Sequence, residues 1–205
     1  MSEDIRIIID PSQIGLVQMM LEHVPRQVPR VLAGAINKTL MSLRSHATKR
    51  IAAASGLKQK TVRDGSFVRK ASRGTLEGGI RFSGRRIKLI ELGARQTRKG
   101  VTYRLAGGGR GLVAGAFIAA MPGGHTGVFT RQIKGLSRGR IRAQEVRTEG
   151  RVPRLHLWEV VGATIREIWE QGGGMQQEVR AEGNRLLAHY VDQDLNWALE
   201  RFGHA

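Results

Sequence analysis

A chain of 205 residues with a formal net charge of +17, no cysteine and only 5% aromatic residues excludes several classes at once. Disulfide staples and thiolate metal sites are ruled out, and no run reaches the ~18–20 apolar residues that a bilayer-crossing helix needs. The charge points to a polyanion or an acidic protein surface, while the few aromatics argue against a module that stacks on bases.

The charge is unevenly spread. Residues 1–25 carry a net −3, residues 26–104 +17, residues 105–154 +7 and residues 155–205 −4. Three readings of the cationic middle compete: contact with nucleic acid, solvated faces of helices and strands, or docking on acidic neighbours, including the ends of other copies. The acidic start of the chain lacks the basic-then-apolar order of a signal peptide, and the expected class is a soluble protein with no membrane partner.

In chain order, residues 5–9 are β-branched and read as a short strand. Asp10-Pro11-Ser12 offers a helix start, followed by a short helix over 14–23 that stops before Pro25. The first long element spans 28–55. Leu32, Ile36, Leu40, Leu43, Ala47 and Ile51 recur every three or four residues and define one apolar face, and Gly56 closes the helix. At 1.5 Å per residue it is about 40 Å long. Residues 57–63 add two more turns, with Ser55 as a candidate cap.

From Ser66 the period changes. Residues 67–71, 75–82, 87–92 and 101–105 read as strands, followed by 113–120 and 127–133 with a hairpin across Pro122-Gly123-Gly124. The spacing predicts an antiparallel meander. Residues 107–111 and 134–150 are glycine-rich and basic and read as flexible loops. Structure resumes at Val152, with a helix over 163–170, a break at Gly172-Gly173-Gly174 and a final amphipathic helix over 175–202. The fold class is therefore α+β: an antiparallel sheet flanked by a long N-terminal and a C-terminal helix, with long basic loops. The organisation expected is one α+β domain over 1–171, with its basic helix at 28–55 and its sheet at 66–157. An amphipathic helical arm over 172–205 completes it.

Enzymatic constellations are thin. Gly109-Arg110-Gly111-Leu112-Val113-Ala114 fits a dinucleotide fingerprint, but no helix follows it and no acidic residue lies ~20 positions on. Ser55-Gly56-Leu57-Lys58 has the spacing of a serine–lysine pair without its partner motifs. The six histidines never pair at i, i+4, which argues against zinc, and His125 reads as a plain turn histidine. Glu91 reads as an ion-pair partner for Arg95. Neither an enzyme nor a cofactor is expected.

One ordered set of residues carries a resemblance. Glu91-Leu92-Gly93-Ala94-Arg95-Gln96-Thr97, then Lys99-Gly100-Val101, Gly115-Ala116-Phe117-Ile118 and Gly124-His125-Thr126-Gly127-Val128-Phe129-Thr130-Arg131 resemble the minor tail protein Z family of long-tailed phages and prophages. Ala35-Ile36-Asn37-Lys38 and Ser55-Gly56-Leu57 upstream are similar too. So are Val152-Pro153-Arg154-Leu155 and Gly162-Ala163 downstream, although a Gly-Pro-Ser turn of the family reads Gly162-Ala163-Thr164 here. The resemblance covers about residues 28–170.

It implies a structural virion protein at the head-proximal end of the tail, assembled in the host bacterial cytoplasm. There it would be a homo-oligomer, a hexameric ring around the DNA channel, joining tail to neck and placing the genome end. The implied partners are the adjacent tail tube or terminator and neck proteins, with sequence-independent contact to packaged DNA; a freestanding DNA-binding or packaging protein is the alternative. On this reading Arg85, Arg86, Lys88, Arg95, Arg98, Lys99, Arg110, Arg138, Arg140 and Arg142 are candidates for phosphate or inter-ring contacts. Gly93, Ala94, Gln96, Thr97, Phe117, Ile118, Val128 and Phe129 are candidates for the subunit interface.

Overall fold

The computed structural model describes residues 4–8, 11–22, 25–105, 109–121, 123–131, 142–145 and 157–202. In chain order they form β1 (Ile5–Ile8), α1 (Pro11–Met20), α2 (Val28–Ser55), α3 (Gln59–Asp64), β2 (Ser66–Arg69), β3 (Glu77–Phe82) and β4 (Arg86–Lys88). These are followed by β5 (Arg95–Thr97), β6 (Gly100–Arg104), β7 (Arg110–Ala114), β8 (Phe117–Ala120), β9 (Thr126–Thr130), β10 (Arg142–Glu145), β11 (Trp158–Thr164), α4 (Ile165–Gln171) and α5 (Gly173–Phe202). All strand pairings among the described residues are antiparallel. The class is α+β with a long helix toward each end, as the hydrophobic periods predict. Two compact units result: one of Met1–Thr48, Arg63–Phe82 and Gly172–Ala205, the other of Lys49–Val62 and Ser83–Gln171.

The first unit is built on α2. Its predicted stripe from Leu32 to Ala47 is buried to 1% exposure or less. One side of the helix meets β3 so closely that a Cβ added at Gly78 would lie 2.6 Å from Leu40 Cδ1. Another side meets α5, where Gly183 faces Leu43. The buried residues of α5 are Val179, Gly183, Leu187, Val191, Leu195 and Ala198, one per turn, with a glycine among them.

The sheet of this unit runs β1-β3-β2, with Ile5 opposite Ile80 and Val68 also opposite Ile80. Its inner face buries Ile5, Ile7, Ile80 and Phe82. On the outer face Glu77 of the central strand accepts hydrogen bonds from Arg6 and Arg69 of the two edge strands, both at 2.5 Å. These bonds, Arg6 first and Arg69 second, hold the Glu77 carboxyl below its ordinary value.

Asn37 turns a polar side chain from α2 onto one backbone unit. Its Nδ2 donates to the Ala71 carbonyl at 3.0 Å, and its Oδ1 accepts from the Ala71 N–H at 2.8 Å. That closes the β2–β3 connection onto the helix.

The second unit holds two sheets, β5-β6-β7 and β10-β11-β9-β8, with β4 also pairing to β11. They share a core of Leu89, Val101, Val113, Ala116, Val128 and Val160, against which Leu92, Ala94, Tyr103 and Ile118 pack. Burial pushes the Tyr103 phenol above its ordinary value.

Several expectations change here, each for a local reason. The strand expected over 87–92 ends at Lys88 and continues as a 3-10 turn, Leu89–Leu92, closed by Gly93 at φ 66°. The strand expected over 113–120 breaks at Gly115, φ 68°, into β7 and β8. Arg110 and Gly111, expected in a flexible loop, begin β7 because Arg104 and Tyr103 of β6 pair with them. Residues 142–145 of the second basic stretch are strand β10, paired along β11; the remainder of both stretches lies outside the described residues, apart from Gly109. Gly173 and Gly174 form the first turn of α5 rather than a break, which falls at Gly172 alone.

The helix expected from Ala163 starts two residues later. Thr164 caps it, accepting from the Glu167 N–H at 2.9 Å while Glu167 accepts from the Thr164 N–H at 3.0 Å. This is a reciprocal capping box, written in the sequence as Thr164-Ile165-Arg166-Glu167.

Candidate functional site

Strand alternation decides which cations gather. On β4, Arg86 and Lys88 lie two residues apart on one face, while Ile87 between them is buried on the other. Lys88 pairs with Val161 of β11 and Arg86 with Thr164, so β11 carries one extra residue between those pairs, a bulge around Gly162. Glu159 stands two residues before Val161 on the same strand. Arg85 from the turn before β4, with Arg86, Lys88, Glu159 and Val161, lines a cleft of about 440 Å³.

The groups in the cleft are not equivalent. Lys88 Nζ lies 2.9 Å from His125 Nδ1, and His125 Nε2 lies 2.8 Å from Glu159 Oε1. An ammonium only donates, so Nδ1 accepts and the ring proton sits on Nε2, where it donates to Glu159. Lys88 and Glu159 are therefore joined through one neutral imidazole. Gly127 makes the room: a Cβ there would lie 2.8 Å from Glu159 Oε1 and 3.2 Å from His125 Nε2. His125 is thus a partly buried bridging residue, not the plain turn histidine expected.

Arg85 and Arg86 are different. Neither side chain has a hydrogen-bond or ion-pair partner among the described residues, and Arg86 Nη1 is buried without an acceptor.

The other candidate cations are scattered. Arg95 is exposed on β5, and Arg98 and Lys99 form the exposed two-residue turn into β6. The ion pair expected between Glu91 and Arg95 is not formed; both residues are exposed. Arg110 is used as a brace: its guanidinium donates to the Gly93 carbonyl at 3.0 Å and to Thr102 Oγ1 at 3.1 Å. Arg142 takes the β10 position opposite Val161, the residue that pairs with Lys88 on its other side. Arg138 and Arg140 lie outside the described residues.

The candidate interface residues divide in the same way. Val128 and Phe129 are 1% and 0% exposed, consumed by the chain's own core because β9 lies between β8 and β11. Phe117 and Ile118 are half-buried, with Arg131 5.9 Å from the Phe117 ring centre. Gln96, on β5, ties to β8 by accepting from the Ile118 N–H at 2.8 Å, and Thr97 Oγ1 donates to the Gly100 carbonyl at 2.8 Å. Gly93 and Ala94 form the left-handed stop of the 3-10 turn and the start of the chain into β5.

No group of three or more His, Asp or Glu residues is placed to hold a metal ion among the described residues. No helix there is long and apolar enough to cross a membrane.

The residues that make this unit what it is, the 3-10 stop at Gly93, the Gln96 tie, the Gly100 turn and the Gly-His-Thr-Gly bridge, are those of the motif order described above. A model of the prophage minor tail protein Z family matches residues 19–149. The chain belongs to that family. It is a structural protein of the phage tail, and the virion is where such a protein resides. The matched span starts earlier than the motifs, within α1, and ends before β11, so the resemblance noted at Val152–Leu155 and Gly162–Ala163 falls outside it. No protein of curated function and no solved structure matches the chain.

Proposed function

We propose that this tail protein Z homologue completes the head-proximal end of the tail as a ring of identical subunits, six in number. In that place it joins tail to neck and helps position the genome end. The observation that carries the reading is the family match over 19–149, which spans both the α2 spine and most of the strand-rich second unit. The exposed cations Arg95, Arg98 and Lys99 then face acidic surfaces of adjoining rings. Cryo-EM of assembled virions tests it directly. A ring of this chain in the neck or upper tail is the expected result; particles that lack the protein would overturn the assignment.

A second reading, a freestanding protein that binds DNA without sequence preference, is favoured by one observation, the side chains of Arg85 and Arg86, which have no partner among the described residues. It expects purified chain to bind random duplex with log–log salt slope of about −0.9 per phosphate neutralised. A chain that ignores DNA at low salt excludes it.

A further inference from the structure

We infer that the cleft lined by residues of β4 and β11 is a binding site for a phosphate group, held by Arg85, Arg86 and Lys88. The inference goes beyond the assembly role proposed above and does not depend on ring formation.

Three independent features point to an oxyanion. First, three cations and one carboxylate line the same cleft. That carboxylate, Glu159, accepts from His125 through Oε1, and its single charge offsets only one of the three cations. Second, among the described residues no acceptor meets the side chain of either arginine, although one nitrogen of Arg86 is buried. A buried donor without a partner is costly, and native structures rarely leave one unless a ligand or water completes it. Third, Lys88 is pinned by only one of its three N–H bonds, so it stands oriented with two donors to spare.

The chemistry of the donors selects phosphate over a carboxylate. A single carboxylate satisfies one guanidinium fork and leaves the remaining cations uncompensated. A tetrahedral phosphate presents oxygens in several directions, so two planar guanidinium groups and an ammonium can share it. A cleft of about 440 Å³ is far larger than one phosphate ion, so it also admits the phosphodiester of a continuous nucleic-acid strand. Inorganic phosphate and a DNA backbone present the same group, and the experiment separates them.

The test uses full-length chain and two probes: inorganic phosphate by isothermal titration calorimetry, and a random-sequence 20-base-pair duplex by fluorescence anisotropy. Arg86→Gln is expected to weaken phosphate binding about tenfold or more, the scale of a lost charge-assisted hydrogen bond. The Arg85 side chain is exposed and has no partner among the described residues, so Arg85→Gln should fold normally and weaken it severalfold, which keeps the test valid if Arg86→Gln folds poorly. Glu159→Gln keeps an acceptor for His125, removes a negative charge and should tighten binding. Arg95→Gln with Arg98→Gln, two exposed cations outside the cleft, is the control and should leave phosphate affinity unchanged.

If the cleft substitutions also weaken duplex binding and lower the salt slope by about 0.9 per lost contact, the phosphate is that of DNA. If they weaken only inorganic phosphate, the site takes a free phosphate group. Absence of phosphate binding by the parent chain, or equal losses in the control variant, would overturn the proposal.

Discussion

Asn37→Ala removes a side chain that fastens the β2–β3 connection to α2, and its cost can be worked from the geometry. Both bonds to Ala71 disappear, and each is worth about 0.5–1.5 kcal/mol net. Ala71 is 7% exposed, so its freed N–H and C=O are poorly placed to recover water, which adds desolvation cost. The sum is about 2–4 kcal/mol, or roughly 4–16 °C in Tm at 2–4 °C per kcal/mol for a chain of this size. Chemical denaturation with far-UV circular dichroism measures it. Asn37→Asp supplies a useful companion. At pH 7 its carboxylate faces the Ala71 carbonyl and should be as damaging as alanine. Its folded-state pKa is thereby raised, so stability returns as pH falls and the protonated carboxyl donates again. An Asn37→Ala variant within about 0.5 kcal/mol of the parent would refute the account of Asn37 as the tie between helix and sheet.

Glu77 is held below its ordinary carboxyl value, so its contribution is present above that value and lost as pH falls through the folded-state one. Glu77→Gln should therefore be less stable than the parent at pH 7 and converge with it in acid, and parallel curves across pH would contradict the clamp. Gly100 has φ 144°, and a Cβ there would sit 2.1 Å from the Val113 carbonyl oxygen, so Gly100→Ala should cost at least about 3 kcal/mol; thermal melting unchanged by the substitution would be inconsistent with the β6–β7 register. Thr164→Ala removes one half of the capping box and should cost about 1 kcal/mol in denaturant titration, with recovery by Ser; an alanine variant as stable as serine would rule out the cap.

How much of this was legible in the residues depends on the range of the interaction. The α2 stripe was readable to the residue, because a 3.6-residue period records one face of a helix and that face is buried in full. The capping box is equally local and is written in Thr164-Ile165-Arg166-Glu167. Strands β5 and β11 were not anticipated. β5 has three residues, all exposed, and so no alternation to see, while β11 is buried on consecutive residues, Val160 to Gly162, and runs straight into α4.

The cleft shows the limit most clearly. Arg85, Arg86 and Lys88 could be named from their sequence alone as a basic cluster. His125 and Glu159 lie 37 and 71 positions beyond Lys88, and only the pairing of β4 and β9 with β11 brings them to it. Arg110 shows the reverse error, since a formal charge in the sequence says nothing of a guanidinium committed to a backbone carbonyl. Val128 and Phe129 belong to the motif order for the same reason as many motif residues do: they build the fold.

Arg44 carries a consequence for how the chain tolerates change. From the middle of α2 it donates to the Arg63 carbonyl at 2.7 Å, and to Ser66 twice, at the hydroxyl, 2.8 Å, and the carbonyl, 3.0 Å. These acceptors bracket the end of α3 and the first residue of β2, so a single planar fork serves as an external helix stop and as the hinge pin of the following strand. A lysine would retain the charge but reach only part of that set. Among variants of this chain, natural or engineered, lysine at position 44 should therefore cost stability although it keeps the charge, because the shape of the fork is what that position supplies.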